Sequence, residues 1–498
     1  MTTSPTPPIE LTGRAAHLAS RRVIVPDEVI ARIGERCTVS TAPEDVAESS
    51  RDWWPLALHW SLAGQVPQLA TIVARPTDVQ QVAHVVRTCN DAGIPVTVSG
   101  GRSGVCGGAV PVFGGVVLDV TSLTGVCSVD EASGIVEVLP GTFGPDLEAQ
   151  IRAENNLTVG HFPQSFDLAT VGGWVASRGA GQYSTRYGKI EDMVVGLEAV
   201  LADGTVVTTG GAPAAAVGPD LTQLLIGSEG ILGVITRVWL RAHPLPAHER
   251  RFAATFASFS DGVEACRQIM RSGATPAVLR LYDADESARG RGGDGERCTL
   301  IVLDEGHRGL VDATLDIVEE IAGTLGAESA PLSLVAEWLE HRNDTTGLQA
   351  LTRKRYVVDT MEIAAPWSRL EEIFEHARTA LMSIPHARAA TCHLSHSYID
   401  GACLYFTFAA TPPEAEIEPT YVALWDVGQR AVLAHGGNLS HHHGVGINRA
   451  RFVAEALGSS FGLLSDIKSM LDPNGIMNPG KFGLASPYGS EPWPVGTR

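Results

Sequence analysis

Three consecutive histidines, His441, His442 and His443, stand inside GGNLSHHHGVG, between two glycine-bearing turns. Imidazole titrates near neutral pH and serves as a general acid or base. Imidazoles also bind metal, but then their nitrogens must converge on one point, often with carboxylate or thiolate help. Between Asp426 and Asp466 the only carboxylate is Glu455, and no cysteine follows Cys403. In an extended segment neighbouring side chains point to opposite faces, so His441 and His443 would converge while His442 points away. The pattern predicts proton handling and no bound metal. Packing at a domain junction is the plainer alternative.

Two strand-like segments offer partners. In ACLYFTFAA, alternation sends Cys403, Tyr405 and Thr407 to one face and Leu404, Phe406 and Phe408 to the other. A tyrosine on the polar face suits a cavity, because its hydroxyl donates or accepts a proton. In AVLRLYD, Arg280 shares a face with Val278 and Tyr282, opposite Leu279 and Leu281. A guanidinium there suits a carboxylate or phosphate. The run Arg353, Lys354, Arg355 reads as a solvated turn.

The elements that must position these residues show two rhythms. From residue 66 a strand over residues 70–73, a helix through Cys89 and the strand IPVTVS form a β-α-β unit that ends in the loop GGRSGVCGG. Strand-like GGVVLDV, GIVEVLPG, MVVGLEAVLADGTVV and GVITRVWLRAHPLP follow, and Pro244 and Pro246 mark a boundary. Beyond it strands and helices alternate as in an antiparallel sheet backed by helices, until TPPEAEIEP closes that pattern. The expected organisation is an N-terminal segment (1–65), a cofactor domain (66–245), a cap (246–425), a C-terminal return (426–484) and a tail (485–498). Glycine loops without Cβ atoms let backbone N–H groups crowd around phosphate oxygens. A literal G-x-G-x-x-G at Gly290, Gly292 and Gly295 lacks the strand and helix that motif needs, so it reads as a loop.

The loops GGRSG, ATVGGWVASRGAGQYSTRYGKIEDMV and GSEGILGVIT together resemble the flavin-binding domain of the vanillyl-alcohol oxidase and p-cresol methylhydroxylase superfamily. PAVLRLYD, GACLYFTFA and GGNLSHHHGVG resemble its branch containing alkyldihydroxyacetonephosphate synthase. The resemblance spans roughly residues 66 to 483. It implies an α+β fold, with a two-subdomain PCMH-type FAD-binding domain under an antiparallel-sheet cap domain. By resemblance, FAD is held by Thr97, Val98, Ser99, Gly100, Gly101, Arg102 and Ser103 in the first loop. Gln164, Ser165 and Thr170 belong to the second, Ala176, Ser177, Arg178 and Gly179 to the third, and Glu229, Gly230, Gly233 and Ile235 to the fourth. Some members tether the flavin through a histidine just after the first GG; here that place is Arg102. The FPQS segment also lacks the cysteine of bicovalent members, so non-covalent FAD is expected. Tyr405 and Arg280 match functional residues of the synthase, and the triplet matches its active-site histidines. YFTF stands where the synthase has Tyr-Phe-Tyr-Phe, so Thr407 is a departure.

The resemblance gives two expectations. One is an FAD-dependent oxidoreductase that oxidises a small hydroxy- or amino-substituted anionic substrate by hydride transfer to flavin N5, with Tyr405, His441, His442, His443 and Arg280 as its catalytic set. The alternative is a redox-neutral transferase of the ether-lipid type, working through a flavin N5 adduct. Composition narrows the partners. A net charge of −19 argues against nucleic acid and anionic membrane surfaces. No apolar run is long enough for a membrane span or a secretory signal. Eight scattered cysteines without a CxxC point to reduced thiols and the cytoplasm. The expected partner is a small-molecule substrate, with a homodimer as the candidate assembly.

Overall fold

The protein is represented by a computed structural model that describes residues 9, 13–290, 293, 295–490 and 493–494. Gly292 of the G-x-G-x-x-G stretch, most of the Pro-rich start and the last four residues lie outside the described residues.

Two sheets carry the glycine loops. In the first, Ile72–Arg75, Val116–Asp119 and Val96–Ser99 run parallel, with Thr38–Ser40 antiparallel at the edge. The strand expected over residues 70–73 is shifted by two residues, because Ile72 pairs with Val116 and so sets the register. Helix Val79–Ala92 crosses between the parallel strands, capped by Asp78, whose side chain accepts the Gln81 N–H. A chain segment near the C-terminus returns to this sheet. The Val96 N–H donates to Ile476 O, and the Asn478 N–H donates to Val96 O, each at 2.8 Å. The second sheet is antiparallel, ordered Val206–Gly210, Val194–Val200, Val234–Arg241, Ile135–Val138, Val126–Asp130.

The third sheet has seven antiparallel strands. Their order is Glu328–Ser329, His248–Phe256, Cys298–Gly306, Val278–Tyr282, Ala387–Ser397, Gly401–Ala410, Val357–Pro366. One face is apolar. Leu279, Leu281, Leu404, Phe406 and Phe408 pack there against helices Phe259–Arg271, Arg308–Thr324, Leu370–Met382 and Ile417–Ala434. The opposite face carries a polar row in register across four strands: Tyr282 pairs with His393, His393 with Tyr405, and Tyr405 with Glu362. Alternation along each strand therefore buries one face and hands the other to chemistry.

Helix Ile417–Ala434 begins where the sequence reads as a proline-rich break. Pro419 sits in its first turn, where the N–H it lacks has no intrahelical acceptor. Tyr421, Leu424 and Trp425 fix the helix to the sheet's apolar face. Among the described residues no helix is long and apolar enough to cross a membrane.

Candidate active site

Arg280 projects from the polar face of its strand and is held on two sides. Its Nη2 donates to His393 Nε2 at 2.6 Å, and its Nε donates to the Tyr282 hydroxyl at 3.2 Å. A guanidinium cannot accept, so His393 Nε2 is the acceptor and His393 Nδ1 carries the proton. That Nδ1–H donates to Glu286 Oε1 at 2.9 Å. Tyr405 stacks on His393 with ring centroids 4.8 Å apart, and its hydroxyl donates to Thr360 Oγ1 at 3.1 Å. Burial pushes the Tyr405 phenol well above its usual range, so it is a protonated donor at neutral pH.

The histidine loop is wrapped around a carboxylate that its own neighbourhood in sequence does not supply. Glu362 Oε1 accepts the Ser440 hydroxyl at 2.6 Å and the amides of His442 and His443 at 3.2 and 2.8 Å. His443 Nδ1 lies 3.0 Å from Glu362 Oε2, and Arg449 closes the pair from behind. Both Glu362 and Arg449 are fully buried. Burial alone would raise the Glu362 carboxyl, but Arg449 and His443 hold it well below the usual range, so it is ionised. A second carboxylate pins the far end of the loop: Glu229 accepts the Val445 and Gly446 amides at 2.6 and 2.9 Å. Gly444, with φ +81, abuts Glu229; a Cβ there would come within 2.5 Å of its Oε1.

This geometry corrects the expectation of strict alternation. The loop is bent, not extended, because Glu362 gathers two successive amides. His442 does not point away; it lines the cavity beside His443, and it is His441 that turns behind the wall. His441 Nδ1 meets His442 Nδ1 at 2.7 Å, and its Nε2 meets the Tyr398 hydroxyl at 2.6 Å. His396 stacks on His441 and reaches Ser184 through Nδ1 at 2.7 Å. Nitrogens of His396, His441 and His442 lie within 4.8 Å of one another, a spacing open to a metal ion. Burial drives all three imidazoles well below their usual range, so each is neutral at pH 7.

One cavity of about 650 Å³ joins this face to the glycine loops. Arg280, Tyr405, His442 and His443 line one side. Of the residues predicted to hold the cofactor, Thr97 and Arg178 are off the wall and the rest line the other side. Thr97 is buried inside its strand, while the Arg178 guanidinium turns to Gln223 and Ile226 O. The wall suits an extended cofactor lying against main chain. A Cβ on Gly100 would come within 2.4 Å of Thr170 Oγ1, and one on Gly101 within 2.0 Å of Leu168 O. Arg102, at φ 56, turns its guanidinium onto Glu48. The volume is in the range of small-molecule and cofactor sites, ~300–1,000 Å³.

Several residues that build the site carry little signal in sequence. Glu362 sits inside the apolar run TMEIAA, where a lone carboxylate was the available clue. Arg449, Tyr398, His393 and His396 lie in segments read only as strand or loop. Trp338 and Arg342 come from helix Ser333–His341 and the turn after it, which the strand-and-helix rhythm did not pick out.

Known proteins agree with this architecture. Residues 70–210 match the family described as FAD binding domain, and residues 245–482 match FAD linked oxidases, C-terminal domain. The uncharacterised FAD-linked oxidoreductase YgcU of Escherichia coli (strain K12) is 34% identical over 441 residues, covering 85% of this chain and 90% of that protein. Alkyldihydroxyacetonephosphate synthase of Dictyostelium discoideum is 28% identical over 460 residues, covering 84% and 74%. D-lactate dehydrogenase of Anaerostipes hadrus is 26% identical over 428 residues, covering 82% and 89%. Among solved structures, an alkyldihydroxyacetonephosphate synthase superposes with a TM-score of 0.77 at 24% identity over 95% of this chain and 90% of that one. Substrate-bound p-cresol methylhydroxylase gives 0.75 at 19% identity over 94% and 99%, so the shared feature is the fold.

Proposed function

Because this chain belongs to the FAD-linked oxidoreductases, we propose that it oxidises a small hydroxy- or amino-substituted anion in the cavity between the glycine loops and the seven-stranded sheet. FAD is the cofactor and supplies, when bound, a two-electron acceptor. We assign its contacts to residues 97–103, 164–170, 176–179 and 229–235. We assign residues 66–245 with 426–484 to the FAD-binding unit and 246–425 to the cap. The hold is non-covalent in this reading, since Arg102 occupies the tethering position and is engaged by Glu48.

The observation that carries the reading is the single cavity that Gly100 and Gly101 share with Arg280, Tyr405 and His442. Arg280 binds the substrate's acidic group; His393 and Tyr282 fix its orientation and leave its remaining N–H donors for a ligand. His442 takes the proton from the substrate hydroxyl or amine at Nε2, because its Nδ1 is engaged by His441. A neutral imidazole is the form a base needs, and burial keeps it so. Tyr405 stays protonated, and with substrate bound its hydroxyl turns from Thr360 to donate to the substrate oxygen or nitrogen. His441 orients His442, and His443 with Glu362 anchors the loop. The triplet works as imidazole in this account, without a metal.

Similarity to the synthase favours a second reading, in which the same residues serve a redox-neutral exchange of an acyl chain for an alcohol. Anaerobic mixing of holoenzyme with 2-hydroxy acids, amines and acyl-dihydroxyacetone phosphate separates the two. Persistent loss of the visible flavin band supports oxidation. Fatty-acid release without lasting bleaching supports exchange.

A further inference from the structure

A second cation faces the same cavity. Arg342 lies just past helix Ser333–His341 and lines the cavity together with Arg280. Its guanidinium carbon is 5.4 Å from the centre of the Phe162 ring, 5.1 Å from Tyr183 and 5.7 Å from Trp338. Arg280 approaches the same Trp338 ring at 5.5 Å. Trp338 therefore has both guanidinium groups packed on it.

Stacking on aromatic rings uses the faces of a guanidinium and leaves its in-plane N–H groups to find acceptors. Arg342 Nη1 is buried and has no hydrogen-bond partner among the described residues. No carboxylate among them makes an ion pair with Arg280 or Arg342. Tyr183, Glu305 and Asp167 favour the charged form of Arg342 from a distance, and Glu305 is taken by the Tyr187 hydroxyl at 2.7 Å. Burial lowers the Arg342 pKa from its usual value and outweighs the pull of those groups. A buried donor without a partner calls for an explanation, and a bound anion is the simplest one in a ligand cavity.

We propose that Arg342 is a second anion anchor, and that the substrate carries two acidic groups, one for each guanidinium. The inference rests on the reading above, which puts the substrate in this cavity. It narrows the substrate to a compound with an oxidisable hydroxyl or amine and two anionic groups, either two carboxylates or a carboxylate and a phosphoryl group. Arg280 takes the group nearer Tyr405 and His442. Arg342 takes the one toward Trp338 and Tyr183.

Unreactive anions test this without turnover. Holoenzyme is titrated by calorimetry at fixed ionic strength with acetate and propionate, with malonate, succinate and glutarate, and with phosphonoacetate. The best dianion is expected to bind about tenfold tighter than the matching monocarboxylate, the size of one charge-assisted contact. Arg342→Gln should erase that preference and leave monocarboxylate affinity unchanged, while Arg342→Lys keeps part of it. Phosphonoacetate ahead of every dicarboxylate, with the lead lost in Arg342→Gln, supports the same anchor and assigns the second group as phosphoryl. Equal affinity for mono- and dianions in the wild-type protein overturns the proposal. So does a preference that survives in Arg342→Gln with its FAD content intact. If Arg342→Gln loses FAD, the wild-type comparison and Arg342→Lys decide. A protein that keeps the preference but oxidises nothing would count against the redox reading and leave the anchor standing.

Discussion

The Val445 amide donates to Glu229 Oε1 at 2.6 Å, tying the histidine loop to a glycine turn 216 residues earlier in the chain. Gly446 donates to the other carboxylate oxygen, and Asn478 donates to the Glu229 carbonyl at 2.6 Å. One acidic residue thus joins three distant segments around the cavity. Glu229→Ala removes two charge-assisted hydrogen bonds, each worth about 1.5–3 kcal/mol in general. The expected result is a weaker hold on FAD, by about tenfold or more, together with lower turnover. Flavin released on dilution, read by fluorescence, measures the first. Unchanged FAD affinity would separate the latch from the cofactor site.

Glu362 and Arg449 form a fully buried ion pair, and His443 leans on the same carboxylate. Breaking a buried pair by neutralising one partner leaves the other charge uncompensated, at a cost of about 3–5 kcal/mol. Glu362→Gln should therefore lower the melting temperature and disorder the histidine loop. Exposed Arg430→Gln, which removes the surface pair with Glu455, should leave the melting temperature nearly unchanged. Equal melting shifts in the two variants would contradict the argument.

His442→Ala should lower turnover about a hundredfold to ten-thousandfold, the usual contribution of a positioned acid or base. The flavin spectrum should be kept, because His442 is not among the residues assigned to hold FAD. Chelators should change neither turnover nor melting. Activity lost on chelation and restored by zinc would instead make His396, His441 and His442 a metal site.

Buried histidines set the response to acid. Burial lowers His161 to about 3 and His59 to about 4, and it drives His396, His441 and His442 well down. Each is neutral in the folded protein, whereas in the unfolded chain it gains a proton near pH 6.5. Their stabilisation is complete above pH 6.5 and is lost as pH falls through the folded values, by up to about 1.4 kcal/mol per pH unit and group. Asp52, Asp283 and Asp359, each raised to about 6 by burial, work the other way. Their folded forms hold protons that the unfolded chain releases near pH 4, so they favour folding below pH 6. Burial raises Glu229, Asp304 and Glu305 as well and lowers His243. The histidine share, joined by Glu362, which Arg449 and His443 hold well down, should make the melting temperature fall below pH 6.5. His161, with neither nitrogen partnered among the described residues, is the cleanest probe. His161→Leu should flatten the decline; an unaltered slope would remove His161 from the account.

Much of this arrangement was legible in sequence for a physical reason. Alternation within AVLRLYD and ACLYFTFAA fixes which side chains leave the apolar face, so Arg280 and Tyr405 reach one cavity. Glycine runs after strands report close approach of backbone, and Gly100 and Gly101 have no room for a Cβ. What escaped depends on long-range pairing. Glu362 becomes the centre of the histidine loop because its strand lies beside Gly401–Ala410, a register that periodicity does not encode. No carboxylate flanks the triplet along the chain; Glu362 reaches it only in space. Helix Ile417–Ala434 was hidden by prolines that mark helix starts as well as breaks.

In the proposed reaction one cavity joins FAD to an acid-binding, proton-accepting face. Anaerobic stopped-flow absorbance of holoenzyme mixed with 2-hydroxy mono- and diacids tests it most directly. Full and lasting bleaching of the visible flavin band by at least one diacid is expected, slowed at least about a hundredfold in His442→Ala. An unbleached spectrum across hydroxy acids and amines, with fatty acid released from acyl-dihydroxyacetone phosphate, would contradict it.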